Sequence, residues 1–339
     1  MVGIDEVARR AGVSAATVSR ALSGKGPVSA ETRARVATAA DELHYVVSSN
    51  ASSLASGRTK NIGVVVPHLN RWFFSSVVEG AERALLRNGY DLTLYNLSGG
   101  GDERRSVFEH FLLRRRVDAV IAVALELTAE EISRLLAIGK PLVGVGGPLV
   151  GVPSLAIDDV AVARLATEHL LLLGHTAIAH IGGSLDENTD FHIGHSRRTG
   201  FLEAMAAAGL PTPPPALLVS DFTMAGAYAS AKQLLGNPHY RPTAIFAASD
   251  EMAIGATLAA RDLGLAIPHD VSIIGIDDHD LAEFFQLTTV AQFPQVQGEL
   301  AAELLIAQLE PTRREEPALT LALPFELVVR ASTSRPPER

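Results

Sequence analysis

Apolar residues recur along this chain with two different periods, and the change of period divides it. In Ile4–Ala11 they fall at Ile4, Val7, Ala8 and Ala11, the spacing of one helical face. Gly12 ends the run, because glycine readily takes the left-handed conformation that a tight turn between helices needs. Val13 plugs the core, and Ser14 stands where a hydroxyl can cap the free amides of a new helix. That helix is predicted over 15–22, with Val18 and Leu22 inward and Thr17, Ser19 and Arg20 partly outward. A third helix is predicted over 30–43, capped by Ser29, with Thr32 one residue short of the capping-box position. Helix, glycine turn and short helix make the sequence form of a helix-turn-helix.

Beyond residue 60 the pattern alternates short apolar runs with amphipathic stretches. Strands are predicted at 62–66, 91–95, 119–123 and 142–145, with helices near 74–87, 102–115 and 128–138. A second series has strands at 178–181, 217–219, 244–247 and 272–276, with helices near 160–173, 197–208, 224–235 and 251–263. Two such series imply two doubly wound lobes. Ligands of these sheets sit at the carboxyl ends of the strands, so two facing lobes make a cleft. The fold class is therefore α/β: a three-helix headpiece followed by a two-lobed, doubly wound domain. Between them, residues 46–59 are rich in serine, which competes for backbone groups and reads as a flexible linker.

Composition narrows the chemistry. The 339 residues are 47% hydrophobic and 20% charged, which excludes a disordered chain and calls for more than one core. There is no cysteine, so disulfides, thiolate metal sites and cysteine nucleophiles are excluded. The first residues lack an apolar signal core, and the apolar stretch at 165–173 is short and holds Glu168 and His169, so a cytoplasmic protein away from membranes is expected. The net charge of −9 argues against nucleic acid until its distribution is considered. Residues 1–60 carry eight Lys and Arg against five acids, a small basic end on an acidic body.

Small residues at the start of the second helix (Ser14, Ala15, Ala16) would let it approach a major groove. Arg20 could then reach a guanine edge, and Thr17 and Ser19 could meet phosphates or base edges. The same pattern also fits a three-helix bundle that binds no DNA. After the first predicted strand, Trp72, Phe73 and Phe74 stand together beside Arg71 in a chain with 5% aromatic residues, which suggests a stacking face for a sugar or base ring. Asp158 and Ser249 fall at strand ends lining the same cleft. A Walker loop and a Gly-Xaa-Ser-Xaa-Gly elbow are both missing, so no enzyme is expected. His192 and His195 with Asp186, Glu187 and Asp190 suit a polar loop better than a metal site, and no metal or cofactor is expected.

The run from Val7 to Leu22, VARRAGVSAATVSRAL, resembles the headpiece signature of the lactose-repressor (LacI/GalR) family, and 28–36 with 43–45 resembles its third helix. Further landmarks of that family are Ile157-Asp158-Asp159, Leu173-Gly174-His175, Ile181-Gly182-Gly183, residues 248–256, 274–278 and 324–330. The resemblance implies a transcription regulator whose operator affinity responds to a small effector, a sugar or sugar derivative by expectation, held between lobes akin to periplasmic sugar-binding proteins. It puts Ala15, Ala16 and Arg20 at base-choosing positions. It also makes 46–59 a hinge that folds on DNA, with Leu54 wedged into the minor groove and Ala51 one turn earlier. Val47 and Ser52 depart from that pattern, where proline and arginine are usual. By the same resemblance Arg197 clamps the effector at a helix start, Asp277 contacts it from the opposite wall, and Phe222 forms a second aromatic wall.

The expected organisation is a headpiece at 1–46, a hinge at 47–60 and an effector and dimerisation domain at 61–335. Lobe 1 spans about 61–158 and 290–322, and lobe 2 about 159–289 and 323–335. Two headpieces are needed to read a near-palindromic duplex, so a homodimer is expected. The alternative is a cytoplasmic or exported sugar-binding protein without operator activity.

Overall fold

Three helices form where the apolar spacing predicts them: α1 (Ile4–Ala11), α2 (Ala15–Ser23) and α3 (Ala30–Glu42). Gly12 takes φ 67°, and the amide of Val13 returns to the carbonyl of Ala8 at 3.0 Å, which closes α1. The Ser29 hydroxyl accepts from the amide of Thr32 at 3.2 Å. Thr32 is thus the third helical residue itself, which corrects the one-residue offset expected for it. Val7, Ala8, Ala11, Val18, Ala21, Val36, Ala39 and Ala40 bury a small core, and Arg10 pairs with Glu42 across α1 and α3 at 2.5 Å.

The computed structural model describes residues 2–24, 26–45, 58–97, 101–114, 116–183, 193–237, 239–310 and 320–338. They divide into two units, Met1–Lys60 and Asn61–Arg339. No described helix is long and apolar enough to cross a membrane.

The second unit contains two six-stranded sheets. The first has β1 (Asn61–Val66), β2 (Asp91–Asn96), β3 (Ala119–Val123), β4 (Leu142–Val145), β5 (Ser154–Ala156) and β11 (Thr320–Ala322), in the order β11-β5-β4-β3-β1-β2. The second has β6 (Ile178–Gly182), β7 (Leu217–Val219), β8 (Ala244–Ala247), β9 (Ser272–Asp277), β10 (Thr288–Ala291) and β12 (Glu326–Val328), in the order β12-β10-β9-β8-β6-β7. Pairing is parallel except between β10 and β12. Val and Ile fill β1, β3 and β4 because both faces of a parallel sheet are covered by helices, and these strands are almost wholly buried.

Helices α4 (Trp72–Arg87), α6 (Ala129–Ala137) and α11 (Pro294–Leu309) pack on the first sheet. Between them, α5 (Gly101–Ser106) runs into a wider turn at Val107–Phe111, where the amide of Leu112 reaches the carbonyl of Val107 at 2.9 Å. The predicted helix over 102–115 is thereby cut short. Helices α7 (Asp159–Leu172), α8 (Ile193–Ala207), α9 (Met224–Leu235) and α10 (Asp250–Asp262) cover the second sheet, two on each face. A Cβ added at Gly298 in α11 would lie 2.0 Å from the carbonyl oxygen of Val77 in α4, so these helices cross with backbones almost touching. The chain passes between the sheets after β5, after β10 and between β11 and β12.

Candidate DNA face and effector cleft

On the headpiece, the start of α2 presents small residues: Ser14 and Ala16 are exposed, Ala15 and Thr17 half-buried. Ser14 is the cap the sequence calls for. Its hydroxyl accepts from the amide of Thr17 at 3.2 Å and lies 2.9 Å from the Thr17 hydroxyl. Both side chains therefore set the start of the helix. Ser19 and Arg20 are exposed, and the Arg20 Nε donates to the carbonyl of Ala16 at 3.1 Å. The guanidinium thus folds back along its own helix at its Nε end. Ala51 and Leu54 lie outside the described residues.

In the second unit the carboxyl ends of the strands gather a cluster of charge. Arg197 lies in the second turn of α8, which begins at Ile193, and not at a helix start as its sequence context suggests. It is 5% exposed. Its Nε donates to Asp159 Oδ1 at 2.7 Å, and another guanidinium nitrogen donates to the carbonyl of Ala248 at 2.5 Å. Burial raises the Asp159 carboxyl pKa, and Arg197 pulls it back. Asp277 ends β9 at φ 134°, also 5% exposed, and accepts from the Gln292 side-chain amide at 2.5 Å. Burial pushes it up to about 6 against the pull of Arg197 and Gln292. Arg197 and Asp277 thus belong to the same lobe and feel each other, which corrects their expected placement on opposite walls.

Carboxylates accumulate beside them. Asp250, at the start of α10, is fully buried and accepts from the Thr289 hydroxyl at 2.7 Å and the His279 amide at 2.9 Å. Burial raises its pKa, and Asp277 raises it further. Glu251 is pushed up to about 7 by burial and by Asp277, with Arg71 opposing. Such a site suits a ligand rich in groups that both donate and accept hydrogen bonds, because a carboxyl raised by burial donates when protonated and accepts when ionised.

The remaining sequence candidates take several places. Asp158 caps α7 by accepting from the amide of Ala161 at 2.9 Å, and Ser249 caps α10 by accepting from Met252 at 3.3 Å. Phe222 follows β7 at φ 58°, with its ring so close to Gly183 that a Cβ there would meet it at 1.9 Å. The aromatic run splits. Phe73 and Phe74 pack edge to face at 5.5 Å and lean on the core of the first lobe, whereas Trp72 leaves them. Sequence reasoning did not single out Asp159, Asp250, Glu251 and Gln292 as site residues. The first three lie in family landmarks or beside them, but no local pattern marks Gln292. Among the described residues no group of three or more His, Asp or Glu side chains could hold a metal, and His192, Asp186, Glu187 and Asp190 lie outside them.

Comparison with known proteins agrees with both halves. Residues 3–48 match the model of bacterial regulatory proteins of the lacI family, and residues 167–333 match that of a periplasmic binding protein-like domain. An HTH-type transcriptional repressor PurR from Serratia proteamaculans is 35% identical, across 93% of this chain and 92% of its own length. Among solved structures, the lac repressor dimer bound to operator and the anti-inducer ONPF is 28% identical, with a TM-score of 0.84 over 98% of this chain and 99% of that one. The transcriptional regulator CelR–cellobiose complex is 31% identical, with a TM-score of 0.70 over 98% and 100%. The chain belongs to the lacI family of bacterial regulatory proteins and is a DNA-binding transcriptional regulator under a small-molecule effector.

Proposed function

We propose that this chain is a non-catalytic, homodimeric repressor whose hold on a near-palindromic operator changes when a sugar or sugar derivative enters the cleft. The observation that carries the reading is the buried constellation of Arg197, Asp159 and Asp277 at the strand ends, in one chain with a capped, small-faced α2. Arg197 donates to a sugar hydroxyl and Asp277 accepts from its neighbour, while Phe222 covers an apolar ring face. Asp158 caps the helix that supplies Asp159, Ser249 caps the one that supplies Asp250 and Glu251 beside Asp277, and Phe73 and Phe74 back the facing wall. The relative solved with cellobiose supports a carbohydrate, and the relative solved as a dimer on operator supports paired headpieces.

In this reading Ala15, Ala16 and Arg20 choose bases, Ser14, Thr17 and Ser19 meet the backbone, and Ala51 and Leu54 open the minor groove. The headpiece is residues 1–46, the hinge 47–60 and the effector domain 61–335. In this reading lobe 2 runs to about Ala291, supported by the pairing of Thr288–Ala291 within the second sheet.

Selection from a random-sequence duplex library with the full-length protein tests the reading. Enrichment of one near-palindrome is expected. No enrichment, with or without a panel of mono- and disaccharides, overturns it.

A further inference from the structure

Trp72 is the only tryptophan in the chain and the first residue of α4, on the first lobe. Its ring does not join Phe73 and Phe74. It stacks on His279 of the second lobe, with ring centroids 4.8 Å apart and planes tilted by 31°. Its Nε1 donates to Asp280 Oδ2 at 3.0 Å, across 208 residues of sequence.

The receiving turn is built rigidly into the second lobe. Asp277 and Asp278 take φ 134° and 55° in succession, a backbone that side-chain-bearing residues adopt only when held there. The holding groups are visible. The His279 amide donates to Asp250, the Asp278 amide donates to the Thr289 hydroxyl at 3.3 Å, and Arg330 pairs with Asp278 at 2.7 Å. The Leu281 amide donates to His279 Nδ1 at 2.9 Å, which fixes the imidazole ring under the indole and leaves its proton on Nε2. Arg71, the neighbouring residue on the first lobe, acts electrostatically on Glu251 of the second.

We propose that Trp72 is a clasp that holds the two lobes in the arrangement seen here, with His279 and Asp280 as its seat. The seat hangs on Asp250, and Asp250 shares its surroundings with Asp277, so a ligand that engages Asp277 acts on the clasp through two hydrogen-bonded residues. An indole bound by stacking and one hydrogen bond, at the rim of the cleft, is a contact that can be broken without unfolding either lobe. Only the link to a ligand rests on the reading of the cleft as an effector site; the clasp itself does not.

The test uses the full-length protein without DNA or sugar. The single tryptophan reports on its own seat, so emission is recorded for the wild type, Asp280→Ala, His279→Ala and the control Glu283→Ala, an exposed acid on the same segment. Small-angle scattering of these proteins and of Trp72→Phe reads the separation of the lobes. Asp280→Ala and His279→Ala should shift emission to longer wavelength as the indole meets water. Both variants and Trp72→Phe should increase the radius of gyration, and Glu283→Ala should change neither quantity. The clasp is refuted if Asp280→Ala and His279→Ala leave both quantities at wild-type values. It is equally refuted if Trp72→Phe scatters like the wild type, or if Glu283→Ala matches the seat variants. Failure to select an operator would break the proposed function and leave these readings untouched.

Discussion

In the headpiece, Ser14 and Arg20 are exposed and find their partners three and four residues away. In the cleft, Arg197 is buried and finds its partners 38 and 51 residues away. The difference follows from what each region meets. A DNA-reading helix keeps its side chains at the surface, where a partner that arrives from outside can reach them. A ligand cleft removes its charges from water, so each charge needs an internal partner before any ligand comes. Loss of a partner should therefore be costly in the cleft and mild in the headpiece.

The largest effect should come from Asp159→Ala. It leaves the Arg197 guanidinium buried with one carbonyl acceptor, and breaking a buried pair in this way costs about 3–5 kcal/mol. Thermal unfolding of the full-length protein should show the loss, and a melting point within a degree of the wild type would mean that the site is wetter than its burial implies. Arg20→Ala should leave melting unchanged and cost about 1–3 kcal/mol on the selected duplex. An equal loss on random DNA would reduce Arg20 to a phosphate contact. Ser14→Ala removes a cap worth about 1 kcal/mol, read as faster hydrogen exchange of the Thr17 and Val18 amides.

A separate effect concerns pH. Glu251 and Asp277 have folded pKa values of about 7 and about 6, raised by burial. Each favours folding below its ordinary carboxylate range and loses that contribution as pH rises through the folded value. His180 works in the other direction. It is buried between Phe201 and Phe246 and depressed to about 4, so its contribution is lost as pH falls from the ordinary histidine value towards 4. A difference curve separates them. Glu251→Gln should gain melting temperature over the wild type as pH rises from 5 towards 7, and the gain should level off above the folded value of about 7. A flat difference curve would mean that Glu251 titrates as a solvated side chain.

The same contrast explains what the sequence reveals. Helices α1 to α3, their caps and the eight main strands are written in local spacing, and the structure keeps them within a residue or two. The strand at Thr288–Ala291 has no apolar run of its own and exists because β9 and β12 pair with it. Helix α11 buries one face, from Pro294, Gln297 and Gly298 to Leu305 and Ile306, but carries Val296, Leu300 and Leu304 away from it, so its sequence lacks the polar face that marks an amphipathic helix. Arg197, Asp277 and Phe222 are candidates only through family resemblance. The partners of the first two, Asp159 and Gln292, are not marked by spacing, because a hydrogen bond over 38 or 15 residues leaves no periodic trace. Trp72 shows the limit most clearly. Its neighbours suggest one aromatic face, and the fold sends it to the other lobe.

The central claim is that the cleft governs the headpiece, and the most direct measurement is operator affinity with and without sugar. On the duplex selected by the wild type, one member of a saturating sugar panel should change affinity by roughly 5–150-fold, the usual range of such coupling. Asp277→Asn should abolish that response while still binding the duplex. Affinity that no sugar alters, or a response that survives Asp277→Asn unchanged, would contradict the account.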